Sequence, residues 1–165
     1  SPLELLEKYP SDSLRYFLLR ATPFGDDGDF SEKALIDRHN NELADKLGNL
    51  ISRVSVLIDK NGIEKTENKL LKKLKFKEIE KNLDNYELDK ALNTIFSFID
   101  QCNEYVQKRK IWETGNKKQL YELKESIIKI AELLWPFIPE TSEKITKQFS
   151  TKKIKKAEIL FKKIK

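Results

Sequence analysis

Few residues in this 165-residue sequence could interrupt a helix, cross-link the chain or span a membrane. Its one cysteine, Cys102, excludes an internal disulfide and a cysteine-rich zinc site, and makes a reducing compartment the expectation. Only 5 glycines and 5 prolines are present, so breaks between helices must be rare. No apolar run approaches the roughly 20 residues that span a bilayer, and the N-terminus lacks a secretory signal pattern. We therefore expect a cytoplasmic protein without membrane contact.

The residues that are present indicate a folded, mostly helical domain. Hydrophobic residues make up 39% and charged residues 36% of the sequence, which is too apolar and too periodic for a disordered chain. The length fits one or at most two domains with a sizeable core. The 32 Lys and Arg residues exceed the 27 Asp and Glu residues, and the resulting net charge of +5 favours a polyanionic partner without requiring one.

The spacing of apolar residues predicts an all-α fold, an antiparallel helical bundle with a short helical lead-in. In the lead-in, Pro10 separates two short helical patterns, and Ser11 is well placed to cap the second. The stretch 23–30, PFGDDGDF, is predicted to be an acidic loop. It lacks the ligand spacing and closing glutamate of an EF-hand, so a calcium site is not expected there.

Four longer helices are predicted after this loop. They run from about Glu32, capped by Ser31, to Lys60; from near Tyr86 through the basic run 108–110 to an end at 111–115; from Lys117 to Leu134; and from Pro139 to about Phe149. The lysine-rich stretch from Thr66 to Asn82 is predicted to be a solvated helix lying across the bundle. The basic tail 151–165 is either an extended strap docked on the body or a frayed end.

No catalytic or metal site is predicted from the residues. His39 is the only histidine, and without partners placed near it we interpret it as a structural residue at the surface or boundary. Cys102 lies on an apolar helical stripe and is interpreted as a core residue. The carboxylates are interspersed with lysines at helical spacing, and no glycine-rich phosphate loop precedes a helix. The chain alone is therefore not expected to catalyse a reaction.

One polar pair stands out on the first long helix. Asn49 and Arg53 lie one turn apart on the flank of its apolar stripe. Gly48 precedes them in mid-helix, where glycine costs roughly 1 kcal/mol relative to alanine, which suggests close packing or the close approach of a partner. From the residues alone, the pair could simply contact acids on a neighbouring helix.

The segments YPSDSLRYFLLR, PFGDDGDFS and LGNLISR resemble the C-terminal part of methionyl-tRNA synthetase, a class I aminoacyl-tRNA synthetase, in its archaeal and eukaryotic style. The segments NEYVQKRKIWE, WPFIPETSEKI and LFKKI extend the resemblance. In that family these segments follow the catalytic KMSKS loop. The resemblance implies a C-terminal fragment without the nucleotide-binding domain. Residues 1–30 would end the connecting segment, 31–150 would form the anticodon-binding helical bundle, and 151–165 would be a basic tail.

The resemblance also implies which residues contact RNA. The asparagine and arginine of the family that face the anticodon correspond to Asn49 and Arg53, and the tryptophan that stacks on the first anticodon base corresponds to Trp112. Ile111 stands where the family commonly has proline, which leaves the backbone before Trp112 less restricted. The basic run Lys108, Arg109 and Lys110 either contacts phosphates near the anticodon stem or forms a solvated helix end. Without the resemblance, Trp112 would be read as a plug at the bundle end.

The function implied is recognition of the CAU anticodon of methionine tRNA, so that a parent ligase can join methionine to tRNA. The parent would use ATP and Mg²⁺, with zinc possible in its N-terminal part. The fragment itself is expected to be inactive, monomeric and without a cofactor or metal of its own. Two alternatives remain, which are the corresponding domain of a leucyl or isoleucyl synthetase and a helical scaffold that binds protein.

Overall fold

The computed structural model describes residues 2–21 and 30–165, and within them every regular element is helical. The helices are α1 (Pro2–Lys8), α2 (Ser11–Ala21), α3 (Glu32–Arg38), α4 (Asn49–Asn61), α5 (Phe76–Asp84), α6 (Leu88–Lys108), α7 (Ile111–Thr114), α8 (Lys117–Leu134) and α9 (Pro139–Phe149). The all-α prediction is confirmed. Residues 23–29 of the predicted acidic loop lie outside the described residues, so its outcome stays open.

The first long helix is continuous but changes its pitch. A π-helical segment, His39–Gly48, joins α3 to α4 with right-handed helical backbone at both junctions. As predicted, the Ser31 hydroxyl caps its start by accepting from the Ala34 amide at 3.1 Å. A Cβ on Gly48 would approach the Leu43 carbonyl oxygen to 3.1 Å, so the close approach at this glycine comes from the helix's own backbone.

The core lies between α4, α6 and α8, whose apolar stripes face one another. On α6 the predicted stripe is fully buried at Leu92, Ile95, Ile99, Cys102 and Val106. Burial raises the pKa of the Cys102 thiol to about 12, which confirms it as an unreactive core residue. The Glu64 amide, just after α4, donates to the Lys117 carbonyl at 3.1 Å, so α8 starts beside the end of α4 and returns antiparallel to it.

The predicted helix Thr66–Asn82 is wrong in its first half. Helix α5 begins only at Phe76, and residues 62–68 form no regular element. The amides of Lys69 and Leu70 donate to the Glu122 carboxylate at 2.8 and 3.3 Å, and the Asn68 side chain donates to the Glu122 carbonyl at 3.1 Å. These bonds to α8 replace the helical hydrogen bonds that the local pattern favoured.

The lead-in is packed against the far end of the bundle. The buried carboxylate of Asp12, on α2, accepts from the amide and the hydroxyl of Thr141 at 2.7 and 2.6 Å. Because α9 starts at Pro139, this carboxylate satisfies an amide in the first turn of α9, as an N-cap would. Helix α2 begins at Ser11 itself, so Ser11 lies inside the helix it was predicted to cap.

Of the two alternatives for the basic tail, the structure has the docked strap. Ile154, Ala157 and Phe161 are buried, and the Ala157 amide donates to the Ser55 hydroxyl at 2.8 Å. The Asn40 side chain forms a pair of 2.8 Å hydrogen bonds with the backbone of Ile164. The strap therefore completes the core on the outer side of the first long helix.

His39 is structural, as predicted, but its expected place at the surface or boundary is wrong. The ring is 3% exposed and lies between α2 and the strap. Its Nε2 donates to the Lys162 carbonyl at 2.6 Å, its Nδ1 lies 2.9 Å from the Ser13 hydroxyl, and Phe161 packs edge-on against it at 5.7 Å. The strap buries this side chain, and its docking was only one of two alternatives before the structure.

A partly buried ion cluster joins α2 to the first long helix. The Glu42 carboxylate accepts from Tyr16 at 2.6 Å, from Arg20 at 3.2 and 3.3 Å, and from Arg38 at 2.9 and 3.1 Å. Burial by itself would raise the pKa of Glu42, but the hydrogen bonds from Tyr16 and Arg20 and the two guanidinium charges outweigh it and hold this pKa below the usual 4.5.

We predict that this cluster makes the fold sensitive to acid. Because the folded pKa of Glu42 is lowered, its stabilisation is complete above the ordinary pKa of about 4.5 and is lost as the pH falls through the folded value. Denaturant unfolding between pH 7 and pH 3 should show a smaller loss of stability in Glu42→Gln than in the parent, with exposed Glu132→Gln behaving like the parent. Equal losses in Glu42→Gln and the parent would contradict the prediction.

Candidate nucleic-acid interface

Asn49 and Arg53 lie on the outer flank of α4, one turn apart. Asn49 is exposed, and Arg53 is half-buried. The Arg53 guanidinium donates to the side-chain oxygen of Gln107, on α6, at 3.2 Å. Arg53 forms no ion pair with any residue that the structure describes. Its partner is therefore an amide and not the acid that the alternative interpretation expected. Gln107, which sequence reasoning did not select, holds the guanidinium at the surface while leaving its charge uncompensated.

Trp112 lies on a turn of its own rather than at the end of a long helix. The prediction that the second long helix ends at 111–115 is wrong, because α6 ends at Lys108 and Lys110 takes a left-handed conformation with φ of 48°. The short helix α7 then carries Ile111 fully buried and Trp112 42% exposed. Ile111, and not Trp112, therefore plugs the bundle end, and its burial fixes the turn that presents the indole.

The segment around Trp112 is held against α4 on both sides. Before it, Gln107 contacts Arg53. After it, Gly115 adopts a φ of 57°, and a Cβ there would clash with the Asn61 side chain at the end of α4. The backbone at Gly115 thus requires glycine for its conformation and for the close approach. These two contacts place the turn that carries the exposed indole beside the part of α4 between Arg53 and Asn61, with Asn49 one turn before Arg53.

The three basic residues before Trp112 are exposed and differ in their contacts. Lys108 pairs with Glu104 on the same helix, and this hydrogen bond lowers the pKa of the Glu104 carboxyl. The Arg109 guanidinium lies over the Tyr105 ring, 5.0 Å from its centre. Lys110 occupies the left-handed turn. Arg109 and Lys110, which form no ion pair with the described residues, thus precede the exposed indole in the chain and give this segment the positive charge that is typical of an RNA-binding surface.

Two family models match the chain. The model for class I tRNA synthetases (M) matches residues 1–55, and the model for the anticodon-binding domain of tRNA ligase matches residues 67–164. The second match covers more than half of the sequence and most of the helices described above. The chain belongs to this family of anticodon-binding domains. The predicted division at residues 30 and 150 is not tested by these matches.

The relatives of this anticodon-binding domain are methionine–tRNA ligases. The ligase of Caldanaerobacter subterraneus subsp. tengcongensis is 34% identical over 89% of this chain and 26% of its own length. The ligase of Bacillus subtilis is 33% identical over 89% of this chain and 25% of its own length. The chain thus spans about a quarter of their length. Methionyl-tRNA synthetase of Mycobacterium tuberculosis bound by methionyl-adenylate superposes with a TM-score of 0.80 and 27% identity, over 90% of this chain and 34% of that one. The expected archaeal and eukaryotic style stays a prediction.

The described residues offer neither a metal-binding cluster nor a membrane-spanning helix. Within residues 2–21 and 30–165, no three His, Cys, Asp or Glu side chains are grouped so that they could hold a metal ion. Over the same residues, no helix is long and apolar enough to cross a membrane. The candidate site of this domain consists of Asn49 and Arg53 in the first half of α4 and Trp112 on α7.

Proposed function

We propose that this chain is the part of a methionine–tRNA ligase that recognises the CAU anticodon of methionine tRNA. The single observation that supports this most strongly is the half-exposed Trp112, held on its own turn by buried Ile111 and placed beside the part of α4 between Arg53 and Asn61. An exposed indole face can stack on an unpaired base, while amide and guanidinium groups such as those of Asn49 and Arg53 can read base edges. Lys108, Arg109 and Lys110 would contact the backbone phosphates.

The ligase to which such a domain contributes would join methionine to tRNA in the cytoplasm, using ATP and Mg²⁺, with zinc possible elsewhere in it. We assign this chain the tRNA-binding role and propose that it acts as a monomer. The methionine-specific relatives favour this function over a leucyl or isoleucyl counterpart.

Binding to short RNA hairpins tests the proposal. The chain should bind an anticodon stem–loop with CAU in the loop more tightly than the same hairpin with GAU or CAA, and the affinity should fall as salt is added. Equal affinity for the three loops would contradict anticodon recognition. Binding that is insensitive to salt, or absent, would favour the helical protein scaffold instead.

A second prediction concerns catalysis. The purified chain should support no methionine-dependent exchange of pyrophosphate into ATP, because its candidate site consists of an indole, an amide and cations and contains no group that would activate a carboxylate. Supplying tRNA should not change this result. Exchange above the no-enzyme control, in a preparation free of host synthetase, would contradict the prediction.

For Arg53 we predict a loss of binding without a loss of folding. Arg53→Ala should weaken binding of the CAU hairpin by about 1 kcal/mol, roughly fivefold in affinity, since one side-chain hydrogen bond to RNA is removed. Its stability should change by no more than about 0.5 kcal/mol, because Arg53 lies outside the core. Lys46→Ala is the matched control, as Lys46 is a cation on the same long helix that pairs with Asp100 on α6 at 3.0 Å. A much lower melting temperature with normal binding by the folded fraction would make Arg53 a structural residue.

A further inference from the structure

A recess lies at the end of α6, on a different side of this helix from the one that Arg53 contacts. It has a volume of about 310 Å³ and lies between α6, the first turns of α8 and the segment that precedes α5. Its lining is largely polar and comes from three stretches that are far apart in the sequence. The residues that matter for its chemistry are Lys69, Lys73, Arg109, Lys118 and Glu122.

The four cations of this recess lack a direct ion pair in the described part of the chain, although Lys69 lies near Glu67 and Lys73 near Glu104. Lys69, Lys73, Arg109 and Lys118 form no ion pair with any residue of 2–21 or 30–165. The recess has two carboxylates, and both are engaged. Glu67 pairs with Lys72 at 2.5 Å, and the hydrogen bond lowers the pKa of Glu67. The four cations of the lining outnumber its two carboxylates, so the recess keeps a net positive charge.

The buried carboxylate of Glu122 holds the recess together, and its hydrogen bonds come from neutral donors. Glu122 accepts from the amides of Lys69 and Leu70 at 2.8 and 3.3 Å and from the Tyr105 hydroxyl. Its acceptor positions are thus directed at backbone and phenol donors. Through these bonds Glu122 sets the position of Lys69 and of the Tyr105 ring over which Arg109 lies. These hydrogen bonds of Glu122 hold Lys69 and Arg109 at the same recess.

The recess also favours anions through its backbone. Lys118 is the second residue of α8, a helix of 18 residues, so the positive end of the helix dipole adds to the side-chain charges. Arg109 lines the recess and lies three residues before Trp112 in the sequence. Arg109 thus links the recess, through the turn after α6, to the segment that carries Trp112, and the ligand chemistry the recess fits is a phosphate with unpaired oxygens.

We propose that this recess binds a backbone phosphate of the tRNA next to the anticodon, through Lys69, Lys73, Arg109 and Lys118. The inference rests on the proposed function and extends its surface to the far side of α6. Phosphate contacts fix the register of RNA on a protein and carry no sequence information. The recess therefore contributes affinity and orientation, while discrimination of CAU stays with Asn49, Arg53 and Trp112.

The test compares two triple variants of the chain in hairpin binding at several salt concentrations. Lys69→Gln, Lys73→Gln and Lys118→Gln together should reduce the slope of log affinity against log salt by about 0.7, since the recess binds one phosphate and each phosphate contact of a single strand contributes about 0.7. Preference for CAU over GAU should be unchanged. The control, Lys33→Gln, Lys81→Gln and Lys144→Gln, removes the same charge from exposed sites on α3, α5 and α9 and should keep the parental slope.

Each outcome decides the inference. Equal slopes in the two triple variants would contradict phosphate binding in the recess and would leave CAU recognition intact. The absence of any CAU preference in the parent would instead contradict the proposed function itself. Loss of CAU preference in the recess variant alone would overturn the division of roles. If the triple variant unfolds, Lys118→Gln alone should lower the slope by a part of about 0.7, and an unchanged slope would overturn the inference. An equal slope change with polyglutamate in place of RNA would indicate a general anion surface and overturn the assignment.

Discussion

Trp112→Ala is expected to weaken binding of the CAU hairpin by about one to two orders of magnitude. The indole is 42% exposed on a turn that buried Ile111 and Gly115 hold in place, so it is free to offer a face to an unpaired base. One stacked base contributes roughly 1 to 3 kcal/mol, which corresponds to this loss in affinity. In a complete ligase, charging of tRNA should fall by the same factor while activation of methionine is unchanged, because activation needs no anticodon.

Two variants make the result specific to stacking. Trp112→Phe should lose less affinity for the CAU hairpin than Trp112→Ala, since a smaller ring still stacks on a base. Trp135→Ala removes a similarly exposed tryptophan, 52% exposed, from the end of α8 and should bind the hairpin like the parent. If Trp112→Ala melts far below the parent and the folded fraction binds normally, Trp112 supports the fold. If neither stability nor binding changes, the ring faces away from the RNA.

Glu122→Ala is expected to lower the free energy of unfolding by about 2 to 4 kcal/mol. The substitution leaves the amides of Lys69 and Leu70 and the Tyr105 hydroxyl without their acceptor, and a buried unsatisfied donor costs about 1 to 3 kcal/mol. The hydrogen bond from Tyr105 and burial both raise the pKa of that phenol, so it remains a neutral donor at neutral pH. Denaturant unfolding followed by circular dichroism measures the change.

The matched comparison lies on the same helix. Glu125 is half-buried and pairs with Lys124 at 3.2 Å, so Glu125→Ala should cost less than about 1 kcal/mol. Glu122→Gln retains one carbonyl acceptor, so its free energy of unfolding should lie between those of the parent and Glu122→Ala. A cost for Glu122→Ala as small as that for Glu125→Ala would show that the segment 62–70 is held by other contacts.

Local patterns were sufficient where a helix has one strongly apolar face. The bounds of α8 and α9, the cap at Ser31 and the buried stripe of α6 follow the sequence prediction because propensity, capping and periodicity agree there. Asn49 and Arg53 could be selected for the same reason, since polar residues on the flank of such a stripe must face solvent or a partner. Their assignment to an anticodon came from the family resemblance and not from the pattern.

Local patterns failed where a distant residue supplied the decisive contact. The lysine-rich stretch 66–75 has the periodicity of a helix, but one carboxylate on α8 captures its backbone amides. Similarly, the helix break at Lys110 depends on the burial of Ile111 in the bundle end, and His39 is buried by a strap more than a hundred residues later in the chain. No window of neighbouring residues contains these partners.

The sequence by itself determined that this protein is a helical bundle, because hydrophobic spacing at the helical period and a shortage of glycine and proline leave few other ways to bury its apolar residues. Through its motifs it also indicated the anticodon-binding family. Only the tertiary structure decided that Trp112 is presented on a separate turn, that Gln107 holds Arg53, and that Lys69 and Lys118 share one recess. Those arrangements depend on long-range packing and hydrogen bonds, whose energies exceed the small local preferences of the residues involved.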